Sequence, residues 1–267
     1  MPLFHLVIIA VVQGITEFLP VSSSGHLILL PHITGLDDQG QAIDVAVHVG
    51  TLFAVVLYFR AEVKIAILGC FPLMVGKMDS PGARLALLLL IASVPVVGLG
   101  LILKLTGLNE ALRSIEVIGW AMLVFGMFLY WSDQVGETDK TEADWSIQDA
   151  MIIGIWQAVA LIPGTSRSGI CITGARFLGY NRHDAAKIAM LMSIPTIIAS
   201  GTFLAGETLA DANMALLKDG AIAAFFAFLA ALAALAIMMR LLRSVSFTPY
   251  VYYRIFLGGA LLIIAYS

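Results

Sequence analysis

The chain has 267 residues, of which 60% are hydrophobic and 12% are charged, and its net charge is −3. Soluble domains usually contain about 25% charged residues, so this composition excludes a water-soluble globular domain. The mean hydropathy of +0.95 instead indicates an all-α, polytopic membrane protein. The apolar runs are continuous rather than alternating, which argues against a β-barrel. No basic tract is present, so we expect no nucleic-acid partner.

The first element is an apolar stretch that stops being apolar before it can cross a bilayer. Its arms, 3–19 and 21–34, are separated by "LPVSSSGH". The first residues hold no Lys or Arg and Glu17 interrupts the run, so we interpret the stretch as part of the fold and not as a signal peptide. Because each arm is short, we predict a re-entrant helix–loop–helix hairpin whose tip is buried in protein or lines a polar cavity.

Six later segments are long and apolar enough to span about 30 Å of hydrocarbon. A shorter stretch, 65–76, contains Pro72 and is expected to lie at the membrane interface. The predicted spans are approximately 42–59, 85–103, 115–132, 188–206, 220–239 and 248–266.

A second broken segment has arms 150–162 and 169–180, separated by "PGTSRSG", and it predicts a second re-entrant hairpin. Gln13, Ser22, Ser24 and Gly25 recur as identical residues 144 positions later. We therefore predict one integral membrane domain (1–267) made of two inverted-topology repeats. The repeats are 1–132 and 149–267, joined by an acidic cytoplasmic linker at 133–148.

Lys and Arg distribute unevenly over the two sets of predicted loops, which sets the orientation. The richer set is expected in the cytoplasm, so both termini face outward and the two hairpins enter from opposite sides. The richer set holds Arg60, Lys64, Lys77, Arg84, Lys140, Arg182, Lys187, Arg240 and Arg243, and the other set holds Lys104, Arg113 and Lys218.

The hairpin tips concentrate polar residues that suit an oxyanion. Ser- and Gly-rich turns that lead into helices present free N–H groups and the positive end of a helix dipole. Arg167 adds a planar fork for phosphate oxygens, and His26 with a nearby serine offers a base and a nucleophile. Glu17 and Gln13 lie one helical turn apart and could hold a divalent cation or orient His26. The candidate phosphate-binding residues are Ser22, Ser24, Gly25, Gly164, Ser166 and Ser168.

Less specific interpretations remain open for several of these polar residues. Glu17 and Arg167 could form a structural ion pair with serines that cap helix ends, although that does not explain so many hydroxyls and glycines. His48 is interpreted as a packing or hydrogen-bonding residue within a span. Arg254, among Tyr250, Tyr252 and Tyr253, is interpreted as a snorkelling or interface feature.

The two motifs together resemble the signature regions of the undecaprenyl-diphosphate phosphatase family of the bacitracin-resistance type. "QGITEFLPVSSSGH" matches the family's Glu/Gln-x-x-x-Glu and Ser-Ser-x-Gly-His runs, and "PGTSRSG" matches its Pro-Gly-x-Ser-Arg-Ser run. The "SFTPYVYYR" tail is also similar, so the resemblance covers essentially the whole chain. Cys171 stands where the family often has a threonine.

The resemblance implies removal of the terminal phosphate from a C55 polyprenyl diphosphate, which regenerates the lipid carrier of cell-wall synthesis. It implies Mg²⁺ or Ca²⁺ as the cofactor and a homodimer in the bacterial inner membrane with a periplasmic opening. Glu17, Ser23, His26 and Arg167 are the catalytic residues by motif match, and Gln13 with Glu17 the metal site. Ser23 is the preferred nucleophile, with His26 or activated water as alternatives. A transporter or flippase of the polyprenyl phosphate is the alternative function, because broken helices in inverted repeats are its architecture.

Overall fold

The computed structural model of the protein describes residues 1–35, 39–108, 112–208 and 214–267, with the backbone alone described at 32–34 and 203–208. Within these ranges the chain forms eleven α-helices, which agrees with the predicted all-α class. The helices are α1 (Leu3–Phe18), α2 (Ser23–Thr34), α3 (Gly40–Tyr58), α4 (Arg60–Met74), α5 (Pro81–Thr106), α6 (Ile115–Val135), α7 (Ile147–Val159), α8 (Arg167–Phe177), α9 (Arg182–Thr208), α10 (Met214–Leu241) and α11 (Thr248–Tyr266).

Six helices of the described chain are long and apolar enough to cross a membrane, which confirms the predicted number of spans. They are α3, α5, α6, α9, α10 and α11. The predicted segment 85–103 is longer than expected because local signals at both ends extend the helix. Ser80 accepts a hydrogen bond from the Ala83 N–H at 3.1 Å, Pro81 occupies the first turn, and Gly107 ends the helix with a φ of 71°.

The predicted interfacial stretch 65–76 lies mostly within α4, which begins earlier, at Arg60. Gly69 of α4 and Gly82 of α5 bring the two backbones into close contact, and a side chain at either position would collide with the opposing helix. Because α4 is thus packed on α5, its length is set by tertiary contact as well as by its composition. Its position at the interface stays a prediction.

Two short helix pairs, α1–α2 and α7–α8, correspond to the predicted hairpins, although their depth in a bilayer stays a prediction. The helix α1 packs along α10, where Gly14 lies against the backbone of Ala227 and Ala231. The helix α7 packs along α5, where Gly154 lies against Ala92. Each short pair is therefore supported by a long helix from the other half of the sequence.

The acidic segment at 133–148 is anchored at its two ends. Asp133 is buried in the last turns of α6, where its carboxylate accepts hydrogen bonds from Arg182 Nε at 2.6 Å and from the Phe247 N–H at 3.1 Å. Beyond it, Lys140 forms a short parallel backbone bridge with Tyr180. The segment therefore docks onto the connection between α8 and α9. The proposed repeat boundaries on either side of it stay predictions.

Candidate active site

The two hairpin tips have the same backbone conformation at the residue that precedes the second helix of each pair. Ser22 precedes α2 with a φ of 71°, and Ser166 precedes α8 with a φ of 68°. Positive φ is uncommon for a residue that carries a side chain and it costs roughly 1–2 kcal/mol. The surrounding contacts must offset that cost, which is a common property of functional loops.

The tips are joined to each other by hydrogen bonds from both sides. The Gly164 N–H donates to Ser24 Oγ at 3.1 Å, and Ser168 Oγ donates to the Leu19 carbonyl at 3.0 Å. Gly164 has a φ of 89° and lies so close to Ile118 of α6 that a side chain would collide with its carbonyl. The tips thus form one continuous polar layer rather than two separate turns.

Glu17 is the centre of the polar layer, and its side chain is nearly inaccessible to solvent. Arg167 Nη2 donates to one carboxylate oxygen in a short ion pair. The other oxygen accepts from Gln13 Nε2 at 2.7 Å and from Ser23 Oγ at 3.3 Å. An ion pair between Glu17 and Arg167 is therefore present, as the sequence suggested, and it neutralises both groups at once.

Arg167 uses only one of its guanidinium nitrogens to bind Glu17. Its Nη1 atom is buried and has no hydrogen-bond partner among the described residues. Arg167 therefore has an unsatisfied N–H donor in addition to the one that holds Glu17, and its side chain lies at the cavity described next.

A cavity of about 220 Å³ opens beside the layer. Its polar side is formed by Glu17 and Arg167 together with hydroxyls and backbone of both tips. Its apolar side is formed by Val96, Leu161, Ile162 and Ile197. The predicted site residues that line it are Glu17, Ser22, Ser23, Ser24, Gly164, Ser166 and Arg167.

Four of the predicted site residues do not line the cavity. Gln13 lies behind Glu17 and turns its amide nitrogen to the carboxylate. Gly25 packs against Met122 of α6, and Ser168 spends its hydroxyl on the Leu19 carbonyl. In this arrangement Gln13, Gly25 and Ser168 hold the tips in place, and their expected contacts with metal or phosphate stay predictions.

His26 is also turned away from the cavity. Its Nδ1 lies 2.7 Å from the Ser22 carbonyl, which can only accept, so Nδ1 carries a proton. Its Nε2 lies 2.6 Å from the hydroxyl of Tyr253, and the two rings stack with centroids 5.5 Å apart. In the neutral ring, Nε2 therefore accepts the Tyr253 proton, and no hydrogen bond joins His26 to Ser23 or Glu17 among the described residues.

His48 enters the site as a residue that the sequence placed only in a packing or hydrogen-bonding role. It lines the cavity, and its Nε2 lies 3.2 Å from Gln13 Nε2 and 3.7 Å from Glu17. Since the Gln13 amide donates, His48 Nε2 accepts, while its Nδ1 donates to the Asp44 carbonyl at 2.7 Å. His48 is thus a hydrogen-bonding partner of Gln13 and lies beside the Glu17 carboxylate.

The interpretation of Arg254 as an interface residue is wrong. Its side chain is fully buried beneath the two tips, where it donates to backbone carbonyls of both. A lone arginine inside an apolar span was the available sequence signal, because ionisable groups at that depth usually serve a site. Thr196 and Ser200 of α9 also line the cavity and were not predicted.

The described residues around Glu17 offer few ligands for a divalent cation. No three His, Cys, Asp or Glu side chains converge on a metal-sized site in the described part of the chain. The Gln13 amide oxygen is buried and has no hydrogen-bond partner among the described residues, but the amide presents its nitrogen to Glu17. The residues present fit a cation held by the Glu17 carboxylate, with the remaining ligands from substrate oxygens and water, a set that Mg²⁺ accepts.

Comparison with known proteins gives the same assignment as the motifs. Residues 6–260 match the family model described as bacitracin resistance protein BacA. The chain is 67% identical to the undecaprenyl-diphosphatase of Dinoroseobacter shibae, over all 267 residues and the full length of both proteins. It is 41% identical to the undecaprenyl-diphosphatase of Saccharophagus degradans, over 98% of this chain and 97% of that protein. The chain, a multi-pass membrane protein, therefore belongs to the bacitracin resistance protein BacA family.

Proposed function

We propose that the protein hydrolyses undecaprenyl diphosphate to undecaprenyl phosphate and inorganic phosphate. The observation that carries this proposal is the Glu17–Arg167–Ser23 cluster, which lines a cavity that is polar on one side and apolar on the other. A lipid diphosphate has the same two-sided character. The cavity is far too small for a 55-carbon chain, so the polar head and the adjacent carbons occupy it while the rest of the chain lies in the bilayer.

In the proposed reaction Ser23 Oγ attacks the terminal phosphorus of the diphosphate. Its proton passes to Glu17, whose Oε2 already accepts from that hydroxyl at 3.3 Å. The bond from the terminal phosphorus to the bridging oxygen breaks, and undecaprenyl phosphate leaves with that oxygen. Water then attacks the phosphoserine, which releases inorganic phosphate and restores Ser23. His26 as nucleophile receives less support, since both its ring nitrogens have other partners.

Arg167 is proposed to stabilise the charge of the transferring phosphoryl group. Its free Nη1 is the donor available for this, and hydroxyls and amides of the two tips supply further donors. Such preorganised donors are usually the largest contribution to catalysis of this kind. Ser22, Ser24, Gly164 and Ser166 are proposed to complete the phosphate site, because all four line the cavity.

We also propose that Mg²⁺ or Ca²⁺ binds between Glu17 and the diphosphate. When bound, such a cation would neutralise charge on the phosphate oxygens. Broadening of the Mn²⁺ electron paramagnetic resonance signal by the protein with a lipid phosphate, and its loss in Glu17→Gln, would support this independently of turnover. Metal binding that is unchanged in Glu17→Gln would contradict it.

The proposed setting is the bacterial inner membrane, with a homodimer whose cavities open to the periplasm. The distribution of Lys and Arg supports this orientation. The cavity residues of α5 and α9, Val96 and Ser200, also lie in the halves of these helices that approach the Lys- and Arg-poor loops. Labelling of single cysteines at Lys218 and Lys140 from the outside of spheroplasts tests the orientation, since only the first should react.

The deciding experiment is phosphate release by the purified protein in detergent, with farnesyl or polyprenyl diphosphate and Mg²⁺. We expect wild type to release phosphate and Glu17→Ala to lose about 10³-fold or more in rate. Glu142→Ala, at an exposed carboxylate paired with Lys187, is the matched control and should retain activity. No release by wild type would contradict hydrolysis and leave the transport alternative, which itself is not favoured by any observed contact.

A further inference from the structure

Arg254 is a buried cation whose hydrogen bonds all end on backbone. The side chain is fully buried in the second turn of α11, and no described residue forms an ion pair with it. A charge at such a position is costly and it persists only where several groups solvate it. Its acceptors are the carbonyls of Thr165 at 2.9 Å, Gly164 at 3.1 Å, Met122 at 3.2 Å, Pro20 at 3.4 Å and Ala121 at 3.4 Å.

These carbonyls belong to three different parts of the site. Pro20 lies in the first hairpin tip, Gly164 and Thr165 lie in the second, and the other two lie on α6. One guanidinium therefore fixes both tips against the same wall. The two positive-φ serines, which are intrinsically strained, lie immediately beside these anchored peptides.

The position of Arg254 relative to the tips determines which peptide groups can face the cavity. The C=O and the following N–H of a trans peptide point in opposite directions, and the described residues contain no cis peptides. Arg254 does not line the cavity, whereas Ser166 does. When Arg254 holds the Thr165 carbonyl from behind, the Ser166 N–H is directed away from Arg254 and toward the cavity side. A carbonyl bound to a cation also makes its peptide N–H a stronger donor.

The charges of the site also indicate that Arg254 assists the binding of an anion. Arg167 is already paired with Glu17, so its charge is offset within the site. A fully ionised lipid diphosphate carries more negative charge than a single divalent cation at Glu17 would offset. The remaining fixed positive charge next to both tips is that of Arg254, which no carboxylate offsets among the described residues.

We propose that Arg254 is a positioning residue of the phosphate site, which orients the Ser166 amide toward the anion and supplies the net positive charge that the Glu17–Arg167 pair lacks. This inference rests on the proposed function, because it assumes that a lipid diphosphate occupies the cavity. It predicts that Arg254 discriminates between a diphosphate and a monophosphate, although it does not touch either.

The test measures binding of two lipid probes to the purified full-length protein by calorimetry. One probe is a methylene-bridged farnesyl diphosphonate, which cannot be hydrolysed, and the other is farnesyl monophosphate. The variants are Arg254→Lys, which keeps the charge with fewer donors, and Arg254→Gln, which keeps some donors without the charge. Arg176→Gln is the matched control, since Arg176 is also buried and donates to backbone carbonyls, at Glu137 and Gly136, but remote from the cavity.

We expect Arg254→Gln to weaken diphosphonate binding about tenfold or more, with a smaller loss for the monophosphate, since electrostatic attraction scales with ligand charge. Arg254→Lys should retain most of the selectivity. If Arg254→Gln does not fold, Arg254→Lys alone tests the proposal. Loss of the preference for the diphosphonate in Arg254→Lys would contradict it. Equal losses for both probes, or losses that match Arg176→Gln, would overturn the proposal. Wild type that binds the diphosphonate but releases no phosphate would contradict hydrolysis without affecting this result.

Discussion

Ser22 and Ser166 lie 144 positions apart in the sequence and adopt the same positive-φ backbone conformation, with φ angles of 71° and 68°. Each hydroxyl contacts the serine two residues later, Ser24 at 3.0 Å and Ser168 at 3.1 Å. The two serines differ at the start of the helix that follows each of them. Ser166 Oγ caps α8 by accepting a hydrogen bond from the Gly169 N–H at 3.2 Å, whereas the Ser22 side chain forms no such cap on α2. This pair makes the backbone strain of the site accessible to measurement.

Glycine at these two positions should therefore have different effects on stability. Ser22→Gly removes the strain and loses no cap, so we expect it to be neutral or to stabilise by up to ~1 kcal/mol. Ser166→Gly removes the same strain but loses a cap that is worth ~1 kcal/mol, and we expect a lower stability than for Ser22→Gly. Thermal unfolding in detergent checks this, with Ser22→Val as the strained control. A Ser22→Gly protein that melts as low as Ser22→Val would contradict the strain argument.

Arg167 should not be replaceable by lysine. An ammonium group cannot hold Glu17 with one nitrogen and a phosphate oxygen with another, so we expect Arg167→Lys to reduce kcat/KM about 100-fold. The measurement is phosphate release from farnesyl diphosphate. Arg182→Lys, at an arginine that is paired with Asp133 and does not line the cavity, is the control and should remain within a few-fold of wild type. Turnover of Arg167→Lys close to that of wild type would argue against a phosphate contact.

The nucleophile can be identified from the stereochemistry of transfer. Attack by Ser23 followed by water gives two displacements at phosphorus, so a chiral thiophosphate substrate should react with retention of configuration, whereas direct attack by water inverts it. In rapid acid quench, labelled phosphate should appear on Ser23 and be absent in Ser23→Ala, while Ser22→Ala still forms it. Inversion, or a phosphoryl-enzyme that survives Ser23→Ala but not His26→Ala, would reject the serine pathway.

Tyr253 should affect turnover only through its hydrogen bond with His26. The phenol holds His26 Nε2 at 2.6 Å, so Tyr253→Phe should keep the ring stack and lose the hydrogen bond. If His26 takes part in the reaction, as the motif implies, turnover should fall roughly fivefold, the factor that corresponds to ~1 kcal/mol. If the two residues act together, the His26→Ala/Tyr253→Phe double variant should be no slower than His26→Ala. Additive losses would show that Tyr253 acts elsewhere, and Tyr252→Phe, at an exposed neighbour, should have no effect.

The sequence predicted the spans and both broken segments because these depend on local composition. Long apolar runs determine helices, and Ser, Gly and Arg inside such runs mark the tips. The partnership of Glu17 with Arg167 was also predictable, since two opposite charges at membrane depth favour pairing.

Contacts that depend on how the helices rotate against one another were not predictable. All faces of α11 are apolar enough for either lipid or protein, so periodicity did not reveal that Arg254 points inward and Tyr252 outward. The close spacing of Ser23 and His26 likewise suggested that the two side chains act together, whereas the backbone at the start of α2 directs His26 toward Tyr253. Side-chain direction at a helix start depends on the local backbone, which residue types alone did not define.

The docking of the acidic segment beside α7 should contribute to stability but not to chemistry. Tyr180 is buried, and its hydroxyl donates to Asp149 at 2.6 Å while Lys140 Nζ lies 3.2 Å from the same carboxylate oxygen. Burial and the neighbouring Asp149 raise the pKa of Tyr180, so the phenol stays a donor across the neutral range. We therefore expect Tyr180→Phe to lower the free energy of unfolding by about 1–2 kcal/mol without changing turnover.

The pH dependence of that loss follows from the direction of the shift. A phenol whose folded pKa lies above its unfolded value of about 10 contributes its full stability below pH 10 and loses it at higher pH. The difference between wild type and Tyr180→Phe should therefore be the same at pH 6 and pH 8 and shrink only in strong base. Unfolding in detergent at these pH values measures it, with Tyr130→Phe, at an exposed position of α6, as the control. A difference that changes between pH 6 and pH 8 would mean that another group in the segment, and not the phenol, controls the docking.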